Sequence, residues 1–363
     1  MLLKNICDLI ESIAPLSYQE NYDNSGLIIG SNDKEIEKAI ICIDVTEDVL
    51  NEAIDKQCEL IISHHPLIFK GLKKLNNKNA TERIVIKAIK HDIAIYAAHT
   101  NLDNVVQGVN TILAEKLHLK NRRILQPKRA IWCKLVTFCP IAHADTVRNA
   151  LFEAGAGHIG NYDNCSFNTT GEGSFRASEN ANPFVGTINQ LHTESEIRIE
   201  TIFPSYLESK ILKALFTTHP YEEVAYDIYA LENENNTVGS GIIGEIDAED
   251  EISFLKKLKT ITTANCIRYT ALQGKSIKKV ALCGGSGSFL IKDAIAASAD
   301  IFITGDVKYH DFFEAENKII IADIGHYESE QFTKELLYSI ITKKFPNFAV
   351  LISEKNTNPI HYL

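Results

Sequence analysis

The chain has 363 residues, 45% of them hydrophobic and 23% charged, and a net charge of −10 from 47 acidic against 37 basic side chains. That length fits two or three domains, and the mixture excludes disordered, collagen-like and coiled-coil classes. The acidic balance disfavours nucleic acid as a partner, because it repels a phosphate backbone.

The opening text interrupts its apolar positions with charge at helical spacing, and no later run approaches the ~18 apolar residues of a membrane span. The expectation is a cytoplasmic protein without signal peptide or membrane helix. Eight cysteines are scattered with no Cys-x-x-Cys pair, so buried reduced thiols are expected rather than thiolate metal sites.

From Lys38 the text alternates: an apolar run 39–45, a helical stretch 48–56, an apolar run 60–63, a helix 81–91 and an apolar run 93–98. Strands separated by helices predict a parallel α/β sheet. Between Gln126-Pro127 and Glu232-Asn-Glu-Asn-Asn-Thr237 the texture changes to strand, helix, Gly/Asn-rich strands, helix, strand. That order predicts a ferredoxin-like α+β module inserted into the α/β core, with 232–237 as its exit linker. The alternation then resumes with strand 279–283, helix 290–297, strand 301–304, helix 309–316 and strand 319–322.

The two core segments echo each other, and polar residues cluster just past the strand ends, where open α/β sheets bind ligands. His64 and His65 follow one strand, His99 and Asp103 the next, and His326 and Glu330 a third. Residues four apart share a helix face, which suits His326 and Glu330 to one site. Adjacent imidazoles on extended backbone point apart, so His64 and His65 suit two ions side by side better than one. Imidazole plus carboxylate suits zinc, iron, manganese or cobalt, and bridging carboxylates hold cations ~3.5–4 Å apart in two-metal hydrolytic sites. Each acid alone has an ordinary alternative as a helix cap.

Weaker signals surround these. Cys283-Gly-Gly-Ser-Gly-Ser288 reads as a tight strand-to-helix turn, since it lacks the Lys-Ser/Thr of a P-loop. Thr304-Gly-Asp306 and His310 are candidates for holding ligand imidazoles in place. Lys70, Lys73 and Lys74 read as a solvated loop or as a positive rim for an anionic substrate. In the insert, His158, His219, Glu222 and Glu223 receive no assigned role.

The runs Tyr22-Asp-Asn-Ser-Gly-Leu-Ile-Ile-Gly30, Ser63-His-His-Pro-Leu-Ile-Phe69, Ala98-His-Thr-Asn-Leu-Asp103, Thr304-Gly-Asp306, Gly325-His-Tyr-Glu-Ser-Glu330 and Ser353-Glu-Lys-Asn-Thr357 resemble the Nif-three-like family. That family is also labelled GTP cyclohydrolase 1 type 2 homolog. The resemblance extends into the insert, where Ala154-Gly-Ala-Gly-His-Ile-Gly-Asn-Tyr162 and His219-Pro-Tyr-Glu-Glu223 look like the PII/CutA-like domain of longer members. Tyr22 stands where the pattern has tryptophan.

The resemblance implies an α/β fold, a three-layer core of two similar halves at residues 1–126 and 239–363, interrupted by a PII/CutA-like domain at 127–238. It implies two divalent metal ions per chain, zinc taken first, held by His64, His65, Asp103, His326 and Glu330. His99 lines the site as a further ligand or proton shuttle, and the assembly is a toroidal homohexamer. Two cations would acidify a water toward ~7. A metal-dependent hydrolase is therefore expected, using a metal-bound hydroxide on a nucleotide or other phosphate-containing substrate, with His99 and Glu330 moving the proton. The alternative is a non-catalytic hexameric regulator whose insert senses a small ligand or partner.

Overall fold

Leu60–Ser63, Ile301–Gly305 and Ile320–Asp323 are buried along their whole length, and their near-continuous apolar text suits strands covered on both faces. The computed structural model describes residues 1–363, which fall into two units: Met1–Pro127 together with Asn236–Leu363, and Lys128–Asn235. No helix is long and apolar enough to cross a membrane.

The larger unit holds two sheets. In the first, the order is Gly26–Ile29, Ala94–Ala97, Leu60–Ser63, Lys38–Cys42, Ala349–Ile352. In the second it is Arg268–Tyr269, Ile320–Asp323, Ile301–Gly305, Ile277–Ser286, Asn235–Glu249, Lys120–Lys128. The first sheet has four mutually parallel strands and the second three, and in each an antiparallel strand, Gly26–Ile29 against Ala94–Ala97 and Arg268–Tyr269 against Ile320–Asp323, flanks the parallel set. Parallel neighbours require crossovers, and helices such as Glu47–Asp55 and Ala80–Lys90 supply them. Thr46 and Asn79 cap those helices by accepting from the amides of Val49 and Glu82.

Two strand exchanges were not visible in the alternating text. Ala349–Ile352, from the end of the chain, lies parallel to Lys38–Cys42 in the first sheet. Lys120–Lys128 forms an edge of the second. The polar run expected as a linker at 232–237 is partly strand, because Asn235–Glu249 begins inside it and pairs with Ile277–Ser286. The helix expected at 309–316 is a short 3₁₀ turn, Asp311–Ala315.

The smaller unit runs strand Trp132–Pro140, helix Ala144–Glu153, strands Phe167–Arg176 and Leu191–Pro204, helix Glu208–Thr218, strand Tyr226–Leu231. Its sheet is antiparallel, with Leu191–Pro204 and Trp132–Pro140 in the centre. Its core is its own, built on Leu135, Val147, Leu151, Ile199, Phe203 and Leu215.

Phe302 is fully buried in the second sheet among Ile319, Ile321 and Leu290. Phe302→Ala is expected to cost about 3–5 kcal/mol, read as a lowered urea midpoint for the larger unit. A midpoint unchanged within error would contradict this packing.

Candidate metal centre

The strand ends of both sheets in the larger unit meet at one place. His64 and His65 leave Leu60–Ser63, and His99 follows Ala94–Ala97 as the residue before the short helix Thr100–Asp103. His326 and Glu330 open and close the helix His326–Glu330, which Gly325, at φ +96°, turns out of Ile320–Asp323. His65 Nε2 and His326 Nε2, 261 residues apart in the chain, stand 3.2 Å from each other.

The Nδ1 atom of every one of these four imidazoles is committed to an oxygen. His64 Nδ1 lies 2.8 Å from the Ala98 carbonyl, His65 Nδ1 2.7 Å from Asp44 Oδ1, His99 Nδ1 2.7 Å from Asp23 Oδ1, and His326 Nδ1 2.7 Å from Asp306 Oδ2. Carbonyls and carboxylates only accept, so hydrogen-bond logic assigns the proton to Nδ1 in each ring. Neutral rings then carry a lone pair on Nε2, and this is the usual way an outer partner fixes a metal-binding tautomer.

Those lone pairs converge on acids. His64 Nε2 is 3.7 Å from Asp103 Oδ1 and 3.6 Å from Glu330 Oε1. Glu330 Oε2 is 3.0 Å from His65 Nε2 and 3.1 Å from His326 Nε2. Yet His64 Nε2, Asp103 Oδ1 and Glu330 Oε2 are buried and make no hydrogen bond. Leaving a buried polar atom unsatisfied costs about 1–3 kcal/mol, more if charged, so three in one cluster demand a partner that a cation supplies. His64 with Asp103 and Glu330 forms one group, and His65 with His326 and Glu330 another, in each of which all ligand atoms lie within 4.8 Å of one another. A third group joins His99 to His64 and His65. The residues present fit divalent metal, with Glu330 common to two groups.

The electrostatics follow from this crowding. Burial pushes Glu330 up, but the positive charge of His64 and the close approach of the His326 and His65 rings hold it well below the usual carboxylate range. Burial raises the Asp103 carboxyl; the neighbouring His64 pulls it down, but the Glu330 charge adds to the rise and Asp103 stays above its ordinary value. Burial pulls His65 and His326 down, yet hydrogen bonds to Asp44 and Glu330 push the first up to about 10, and those to Glu330 and Asp306 the second to about 9. Burial also raises Asp23, Asp44 and Asp306. The hydrogen bonds they accept, from His99 and Thr100, from His65, and from Ser286 and His326, bring all three below the ordinary value.

A cavity of about 640 Å³ opens over the cluster, within the range of small-molecule sites. Tyr22, Phe69 and Phe289 line it with partly exposed rings. Lys70, Lys73 and Lys74 are exposed and do not line it, and neither does any other lysine or arginine. His310 does not line it either and is exposed, its ring against Tyr309.

The glycine run expected as a turn at 283–288 is instead largely the end of the strand Ile277–Ser286, which includes Gly284 and Gly285. A Cβ at Gly285, which sits at φ +63°, would lie 2.3 Å from Glu330 Oε1, and one at Gly284 would press on Glu330 Cγ at 3.3 Å. The amides of Gly284 and Gly285 donate to Asn110 and Ser329. The run therefore makes room for the shared carboxylate. Asp44 and Asp23 were not singled out from the residue text. Their only signal was position, Asp44 just past Lys38–Cys42 and Asp23 inside the Tyr22-Asp-Asn-Ser-Gly run.

An α/β unit with histidines and carboxylates gathered at the strand ends of two sheets defines a protein with a candidate metal centre. Residues 1–359 match the family described as Duf34/NIF3 (NGG1p interacting factor 3), and the chain belongs to it. Over 366 residues it is 39% identical to the GTP cyclohydrolase 1 type 2 homolog of Halalkalibacterium halodurans, covering 99% of this chain and 98% of that one. It is 38% identical to the protein of the same name from Bacillus subtilis, over 99% and 98% of the two chains. The solved structure of a Bacillus cereus protein related to NIF3 superposes with a TM-score of 0.83 at 39% identity, covering 99% and 98%.

Two expectations follow. Gly285→Ala should keep the fold but weaken cation binding by at least about tenfold, read by competition with a metallochromic dye; unchanged affinity would show that Glu330 does not need that space. A group whose pKa is raised on folding adds stability that is complete below its unfolded value of 6.5 and is lost as pH climbs through the folded value. Chelated protein should therefore lose stability between pH 6.5 and about 9–10, whereas cation affinity grows there as the same nitrogens give up protons. The melting-temperature gap between loaded and chelated protein should widen from about pH 7 to about pH 9. A constant gap would contradict proton–cation competition at these rings.

Proposed function

We infer that this protein is a metal-dependent hydrolase that uses two divalent cations per chain, zinc first among iron, manganese and cobalt. Its substrate is a nucleotide or a related phosphate-containing molecule. The observation that carries the reading is the convergence of buried, hydrogen-bond-free His64 Nε2, Asp103 Oδ1 and Glu330 Oε2 beside the His65 and His326 nitrogens. Bound there, divalent cations supply Lewis acidity, making a water acidic enough to attack at neutral pH.

His64, Asp103 and Glu330 would hold one cation, and His65, His326 and Glu330 the other. His99 keeps Nδ1 on Asp23, so its other nitrogen is free to accept a proton from the attacking water and return it to the leaving group. Glu330, shared between the two groups, orients that water with its acceptor oxygens. The ring of Tyr22 at the cavity wall offers a face for a heterocycle. With no lysine or arginine in the lining, no fixed positive side chain meets a phosphate there. The name carried by the relatives, GTP cyclohydrolase 1 type 2 homolog, is compatible with attack on a purine-ring carbon, and the site equally suits a phosphoester.

On the same footing we read the core as a three-layer arrangement of two similar halves, residues 1–126 and 239–363, around an inserted domain at 127–238. The order Phe167–Arg176, Leu191–Pro204, Trp132–Pro140, Tyr226–Leu231 supports a ferredoxin-like, PII/CutA-like insert. A cytoplasmic toroidal homohexamer completes the proposal.

The test is turnover. Cation-loaded protein should open the GTP ring or cleave a phosphodiester in a nucleotide panel. Asp103→Ala should abolish this while light scattering still reports six chains, and His99→Asn should lower kcat by about 10²–10⁴ with cation content retained. Stoichiometric cation binding with no turnover on any nucleotide would contradict the hydrolase and favour the regulator. Full activity in His99→Asn would remove the proton role of His99.

A further inference from the structure

The smaller unit contains a second cavity, of about 720 Å³, between the strand Phe167–Arg176, the 177–184 segment and the 221–225 segment. Phe138, Phe175, Phe184 and Tyr221 contribute rings to its wall. The Tyr221 ring stands between Phe175 and Phe184, with centroids 6.3 Å from each and the planes tilted by 58° and 50°. Phe184 is 52% exposed at the mouth. His219 sets this arrangement: its Nδ1 accepts from the Tyr221 amide, and its Nε2 donates to the Phe138 carbonyl.

A carboxylate is built into the wall. Glu196 is only 9% exposed, and its Oε1 accepts from the Tyr221 hydroxyl at 2.8 Å. Its other oxygen, Oε2, takes no hydrogen bond. A Cβ at residue 173 would stand 2.2 Å from Oε2, so Gly173 is what lets the carboxylate lie there. No cationic side chain neutralises it. Arg198 bonds instead to Glu200 Oε1 at 2.9 Å, and Lys134 to Glu200 Oε2 at 3.0 Å. Glu172, Glu222 and Glu223 add acidity around the opening, against exposed Arg176 and Arg198.

A carboxylate with one oxygen free of protein hydrogen bonds and open to the cavity, flanked by ring faces, is the complement of an organic cation. The negative ring faces attract ammonium, and the carboxylate accepts its N–H. We propose that this cavity binds a small organic amine in its protonated form, its ammonium against Glu196 Oε2 and its apolar body between Phe175, Phe184 and Tyr221. The neutral parts of such a ligand bury against the rings, and the charge selects it over neutral and anionic analogues. This is independent of the chemistry at the histidine cluster.

Calorimetric titration of the full-length protein with benzylamine, benzyl alcohol and benzoate tests it. Benzylamine, protonated at neutral pH, should bind at least about tenfold more tightly than benzyl alcohol, and benzoate should not bind measurably. Glu196→Gln, which keeps an acceptor for Tyr221, should remove that preference. Phe184→Ala, at an exposed ring that does not support the fold, should weaken benzylamine by about threefold to tenfold. No benzylamine binding at millimolar concentration, tighter binding of benzoate, or an undiminished preference in folded Glu196→Gln would each overturn the proposal.

Discussion

A buried cluster in which every inward atom is an acceptor is unstable unless something positive fills it, and the rest of this structure is arranged around that constraint. Four imidazoles turn their Nδ1 protons outward, to Ala98, Asp44, Asp23 and Asp306, leaving Nε2 toward Asp103 and Glu330. Removing any outward partner frees a ring to reverse its tautomer and spoil the convergence. The outer carboxylates are therefore as much a part of the site as the inner atoms.

The scaffold meets this demand by bringing two sheets with similar strand order to one place. Each contributes residues from just past its parallel strands, where the backbone leaves the sheet and side chains are free to converge. Rigid, fully buried strands fix where those residues start, and short helices such as His326–Glu330 fix where they point. Clearance matters as much as reach, since Glu330 enters a space that only glycine at 285 leaves open. The C-terminal segment closes the arrangement: Thr357 donates to Asp44, the carboxylate that orients His65, and Ser353 to Glu52.

Much of this was legible in the chain. Leu60–Ser63 coincides with its apolar run, and the helices Glu47–Asp55 and Ala80–Lys90 fall within a residue of their periodic stretches, because buried parallel strands and amphipathic helices write themselves in local patterns. The residues of the cluster were legible because His, Asp and Glu just past strand ends are uncommon company. What was not legible is non-local. Ala349–Ile352 reads as any short apolar run, and only tertiary pairing tells that it joins the first sheet. Asp44 and Asp23 look like ordinary turn residues until a ring nitrogen is found 2.7 Å away. Lys70, Lys73 and Lys74 could be read as a solvated loop or a positive rim, and the structure leaves them exposed and outside the cavity lining.

The account stands or falls on what occupies the cluster. Elemental analysis of protein purified without chelator, compared with Glu330→Gln, measures this directly. Close to two equivalents of divalent metal per chain are expected in the native protein, with a loss of at least one when the shared carboxylate is neutralised. Folded native protein that carries no divalent metal, and takes up none when supplied with zinc, iron, manganese or cobalt, would contradict it.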